Sequence, residues 1–159
     1  MQRRHFMTIT TGAFALGAVP AAWAHHGWSS FDQTRPIFLE GKAANVVWRN
    51  PHTELTLEVA TDLKLPADLA TRSLPAQSAN VNGAALLKAA VLPTRKDARW
   101  EIELAPLTRM NAWSVPEIKN GDPVAMLGFT FTGEKGDPVM RVEYLFVGGK
   151  TYGLRSSPA

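Results

Sequence analysis

The 159-residue chain contains no cysteine. That absence removes disulfides, zinc–thiolate sites, thiolate nucleophiles and a lipidated cysteine anchor together, so any fold must stand on its apolar core alone. A bilayer-spanning run is also missing. The apolar stretch from Phe6 to Val19 is diluted by Thr8, Thr10, Thr11 and Gly12 and falls short of the roughly 18 or more residues a membrane helix needs. Preceded by Arg3-Arg4 and followed by Ala22-Trp23-Ala24, it has the layout of an export signal cut after Ala24, and the paired arginines before Phe6-Met7 point to the twin-arginine route. A strong excess of one charge is the third absence. The formal charge is +3, but both arginines before the cut belong to the signal; without them 15 basic residues face 14 acidic ones. A nearly neutral exported domain has little pull on a phosphate backbone, which argues against nucleic acid as partner.

Cleavage after Ala24 makes His25 the first residue of an exported, periplasmic chain, with His26 next. An N-terminal histidine offers an α-amine and an imidazole from one residue, and both nitrogens are available to a divalent metal near neutral pH. His26 adds a third nitrogen where the chain bends, and His52 is the remaining histidine of the exported chain. A nitrogen-rich tetragonal set of this kind suits Cu(II), so copper is the expected cofactor, with His25, His26 and His52 as its ligands. A cut one residue earlier would place histidine second and third, another copper-chelating arrangement. The plainer reading stays open: two histidines can be polar lead-in residues, and a histidine after Asn50-Pro51 can cap a turn.

The exported part is of single-domain size. Residues 25–36 read as an extended polar and aromatic arm, and 37–155 as one domain. Ile37 to Trp48 has the content of a long first strand, with Gly41 where a bulge is tolerated, and Arg49-Asn50-Pro51-His52 is a turn. Leu55, Leu57 and Val59 alternate with Glu54, Thr56 and Glu58 as a half-buried second strand. The third repeats the pattern with Trp100, Ile102 and Leu104 against Glu101 and Glu103. Between them, 62–96 is a long insertion, rich in alanine and poor in charge, expected to be loosely ordered apart from a short helix over 83–91. A second short helix is predicted over 106–113. Asn120-Gly121-Asp122-Pro123 is a turn, 124–131 a fourth strand, 133–137 a hairpin loop and 139–147 a fifth strand. Three strands, a short helix and two more strands predict a mainly all-β fold, a small five-stranded OB-like Greek-key barrel whose helix closes one end; a split sandwich is the rival.

No spacing of Asp32, Glu54, Glu58, Glu101 and Glu103 singles out an acid–base couple, so no catalytic residue is assigned. Met110, Met126 and Met140 sit in apolar patterns and read as core. Trp100 reads as packing, whereas Trp28 and Trp48 are candidate ligand-binding aromatics. Two functions follow. One is a periplasmic copper carrier or accessory to a redox protein; the other is a metal-free binding module for a protein, peptide or glycan.

Several segments carry a family resemblance. His25-His26-Gly27-Trp28-Ser29-Ser30-Phe31-Asp32, Leu39-Glu40-Gly41-Lys42, Trp48-Arg49-Asn50-Pro51-His52, Trp100-Glu101-Ile102-Glu103-Leu104 and Asn120-Gly121-Asp122-Pro123-Val124 resemble a family of small exported bacterial proteins, domain of unknown function 6152. The double histidine and the Asn-Pro-His turn are its most specific pieces. The resemblance implies export and supplies no established activity, and the 62–96 insertion is larger than it leads one to expect.

Overall fold

The structure, a computed structural model, describes residues 27–159. Strand β1 (Ile37–Val47) pairs antiparallel with β2 (Glu54–Val59) on one side and with β4 (Pro123–Phe129) on the other. The β2 strand pairs with β3 (Arg99–Glu103), and β4 with β5 (Val139–Val147). Parallel pairing of β3 with β5 then closes the sheet into a barrel. Around the barrel the order is β1-β2-β3-β5-β4, the expected Greek-key arrangement, and the sandwich is discarded. A short β6 (Lys150–Gly153) extends the sheet from β5 through a hairpin whose two glycines both have positive φ.

Alternation fills the barrel. Ile37, Leu39, Leu55, Leu57, Trp100, Ile102, Met126, Met140 and Val142 point inward and are nearly inaccessible, so Trp100 and these methionines are core as expected. The predicted plug, α2 (Leu107–Ala112), lies between β3 and β4 and buries Met110 in the same cluster.

Two local expectations change. Gly41 is required by close approach rather than by a bulge: a Cβ there would stand 2.0 Å from the carbonyl oxygen of Glu58 on β2. The irregularity lies further on, between Ala44 and Val47, where Asn45 takes a positive φ and the Val46 N–H donates to Asn120 Oδ1 at 3.0 Å. The second change concerns the insertion. It is packed, not loose: Leu69, together with Leu87 from α1 (Gly83–Ala89), buries against Phe38, Leu127 and Tyr144 on the outer wall of β1, β4 and β5. The Asn82 side chain caps α1 by accepting from the Ala85 N–H at 3.1 Å. Among the described residues no helix is long and apolar enough to cross a membrane.

Candidate functional site

On the outer face of β2, β3, β5 and β4 the register sets one row of side chains. Glu54 lies opposite Glu103, Glu103 beside Arg141, and Arg141 opposite Phe129. The origin is local: Leu55, Ile102, Met140 and Val142 turn inward, so their neighbours turn outward. Two glutamates directly across a strand pair repel. Arg141 offsets this by donating from Nη1 to Glu103 Oε2 at 2.9 Å, with both side chains largely buried. Glu101, one outward position along β3, has no such cation among the described residues. Burial first, then the carboxylates of Asp137, Glu54 and Glu103, hold its pKa above the ordinary 4.5.

The arm docks at the far end of this row. Trp28 opens a single 3-10 turn, Trp28–Ser30, where the sequence suggests only extended chain. Its ring lies beneath the guanidinium of Arg155, 3.9 Å from the ring centroid, and 5.2 Å from that of Arg141, and it meets Phe129 edge-on at 6.4 Å. Phe31 is buried and stacks on Phe131 at 5.2 Å, and the Asp32 N–H donates to the Thr130 carbonyl at 2.8 Å. Gln33 accepts from Arg155 Nη1 at 2.7 Å. The arm is thus pinned from Trp28 to Gln33 by ring contacts and hydrogen bonds together.

Arg155 is itself fixed by a buried carboxylate. In the β4–β5 register Leu127 faces Tyr144 and Gly128 faces Val142, which leaves Glu143 as the extra residue of a bulge. Glu143 is fully inaccessible and accepts from Arg155 Nε at 2.7 Å and from Gln77 Nε2 at 3.2 Å. Neither Arg141 nor Arg155 is a candidate on sequence grounds, because their partners are distant in the chain. The one available signal was a charged pair, Arg141 and Glu143, inside the otherwise apolar strand 139–147.

His52 follows the Asn50–Pro51 peptide bond, which is cis. The next residue, Thr53, is buried; its N–H and hydroxyl both donate to the Ala105 carbonyl, at 3.0 and 2.8 Å. With Thr53 turned inward, alternation places the half-buried His52 on the outer side with Glu54, just beyond the glutamate end of the row. His25 and His26 lie outside the described residues. Trp48 packs against the main barrel core, whereas Trp28 belongs to the separate cluster of Phe31, Phe129 and Val139, so the two tryptophans do not form one platform. Among the described residues no group of three or more histidine, aspartate and glutamate side chains is arranged to hold a metal ion.

A concavity of about 1310 Å³ lies between the insertion and the outer wall of β1, β4 and β5, with Leu74, Phe146, Lys42 and Glu40 among its lining. Arg72 covers the Phe146 ring there at 4.7 Å and is held by Asp68 at 2.9 Å.

No curated protein and no solved structure matches the chain. One family model does match, over residues 14–83, a segment that includes β1, the His52 turn, β2 and the first residue of α1. Over that segment the chain is similar to DUF6152, a family of unknown function.

Proposed function

We propose that the exported chain is a periplasmic copper-binding protein, a carrier or accessory to a redox protein, in which the His25 amine and imidazole, His26 and His52 hold one Cu(II). The observation that supports this reading is that Trp28 docks at the Arg141 end of a row whose other end is Glu54, two residues after His52. Glu54 and Arg141 stand two strands apart, about 10 Å at the usual strand spacing. The three residues before Trp28 span up to about 10 Å when extended, a length of the same order as that separation. With Glu103 paired to Arg141, the carboxylates of Glu54 and Glu101 give the glutamate end of the row a negative field, which favours a divalent cation over a polyanion. The metal-free binding module is the second reading, and the groove beside Phe146 is what supports it.

Titration with Cu(II) under electron paramagnetic resonance separates the two. Exported protein whose first residue is established as His25 by intact mass should give one stoichiometric, nitrogen-rich tetragonal signal. His25→Ala, or one glycine added before His25, should weaken binding by about 10-fold or more. Equal binding by all three chains would remove the amine chelate, and absence of stoichiometric binding in the unaltered chain would leave the binding-module reading.

A further inference from the structure

We infer that the groove between the insertion and the outer wall of the barrel is a docking site for an extended peptide segment of a partner protein, apolar at its centre and acidic on either side. The inference rests on the binding-module reading, which it deepens, and is independent of copper. Its floor follows from register. On the outer face Phe38, Leu127 and Tyr144 form one cross-strand row, which the insertion covers with Leu69 and Leu87. The next row, Glu40, Ala125, Phe146 and Thr151, lines the groove instead. Ala60, whose N–H donates to the Glu40 carbonyl at 2.9 Å, extends that row to the end of β2. Four strand spacings make the floor about 19 Å long, the span of about six extended residues. The volume of about 1310 Å³ exceeds the roughly 300–1,000 Å³ of small-molecule sites, so both dimensions favour a length of chain. Leu74 and Pro75 on the insertion side, with Phe146 and the small Ala125 in the floor, offer apolar contact at the centre. Charge supplies the rest. Three carboxylates line the groove, and two are already engaged, Asp68 by Arg72 at 2.9 Å and Glu58 by Arg99 at 2.8 Å. Arg72 lies over Phe146 and donates to Asp68 from Nε and Nη2 only. Among the described residues no ion pair or hydrogen bond engages its Nη1 or the side chains of the exposed Lys42 and Lys150. Glu40 alone opposes these three cationic groups, and the surplus selects acidic residues in the occupant.

The test is selection of random octapeptides displayed on phage against the exported chain, followed by binding of one synthetic peptide from the enriched pool. Enriched sequences should carry an apolar or aromatic residue flanked by Asp or Glu. The peptide should shift the amide resonances of Ala125, Phe146 and Thr151 and spare those of Trp28 and Phe131. Lys42→Glu combined with Lys150→Glu should weaken it about 10-fold or more, since like charges then face each other. Both lysines are exposed, so this variant keeps the fold, whereas Ala125→Trp, which fills the floor, should abolish binding. Equal binding by the doubly reversed chain, or enrichment of basic peptides, would overturn the inference. Shifts confined to another face would remove the groove and leave the binding-module reading standing. Failure to enrich any peptide would overturn the inference and, with it, a peptide-binding module. Stoichiometric binding of dodecanoate at Ala125 and Phe146 in that case would assign the groove to a single-chain amphiphile instead.

Discussion

Glu134 is the clearest case in which one carboxylate ties distant parts of the chain. It sits in the β4–β5 connection with a positive φ, and its side chain is only 4% exposed. It accepts from the Thr94 N–H at 2.9 Å and the Arg95 N–H at 3.0 Å, where the insertion ends, and from Arg35, where the arm ends. The Arg95 guanidinium completes the knot by donating to the carbonyls of Glu134 and Gly136, each at 3.0 Å. Burial pushes the Glu134 pKa up, but the hydrogen bonds from Thr94, Arg95 and Arg35 outweigh it and leave the group below its ordinary 4.5. A depressed acid contributes stability that is complete above the unfolded value and is lost as pH falls through the folded one. Glu134→Gln should therefore cost about 1.5–3 kcal/mol at neutral pH, since hydrogen bonds to a charged group are replaced by weaker ones. Urea unfolding of both chains would check it: the gap between them should be full at about pH 7 and narrow below about pH 4 as the native carboxylate protonates.

At the scale of elements, β4 and β5 decide what the insertion does. Both are buried on two faces. Phe38, Leu127 and Tyr144 point away from the barrel interior yet are almost inaccessible, because Leu69, Leu87 and Ala90 cover them. Gly83 opens α1 where a Cβ would come within 2.3 Å of the Tyr144 hydroxyl and 2.4 Å of Leu74, so the helix start lies directly on the wall. Leu87→Ala should cost about 2–5 kcal/mol and speed proteolysis within 62–96, whereas a loosely attached insertion would lose almost nothing. Limited digestion followed by mass analysis, set beside thermal melts, distinguishes these outcomes. The barrel was legible because β2 and β3 alternate cleanly between core and solvent, and the residues of β5 match their expected span of 139–147. The packed insertion was not, since Leu63, Leu69, Leu74 and Leu87 follow no single period. What could have shown it was the wall: Val-Ala-Met-Leu and Tyr-Leu-Phe-Val are continuous apolar runs, the pattern of strands covered on both faces. The bend before His52 was legible from Asn50-Pro51. The Trp28 clamp was not, because it joins residues more than a hundred positions apart through a bulge that no periodicity announces.

For the molecule as a whole, the carboxyl-terminal segment acts as the strap that joins arm, insertion, plug and barrel. The Leu154 carbonyl accepts from Arg109 and the Ser156 carbonyl from Trp113 Nε1, which ties down α2 and the residue after it. The Ser157 carbonyl accepts from the Ser78 N–H at 2.9 Å, and Gln77 bridges to Pro158, which ties down the insertion. Arg155 then reaches Glu143 on one side and Trp28 on the other. The carboxylate is the critical partner, for it is fully inaccessible while its arginine is 22% exposed. Removing the cation leaves a buried charge with only Gln77 and no counterion, whereas removing both charges leaves a polar pocket that can be satisfied. Arg155→Ala should thus destabilise the protein by about 3 kcal/mol, and Arg155→Ala combined with Glu143→Gln by clearly less than that single change. Because the same guanidinium covers Trp28, Arg155→Ala should also raise the accessibility of the arm to a soluble quencher of tryptophan fluorescence, while Glu143→Gln, which keeps the cation, should raise it less. Chemical unfolding and quenching on the four chains measure both effects. Equal destabilisation by the single and double variants would mean that Arg155 acts through its ring contact alone, and that the arm, rather than the buried carboxylate, is what the strap holds.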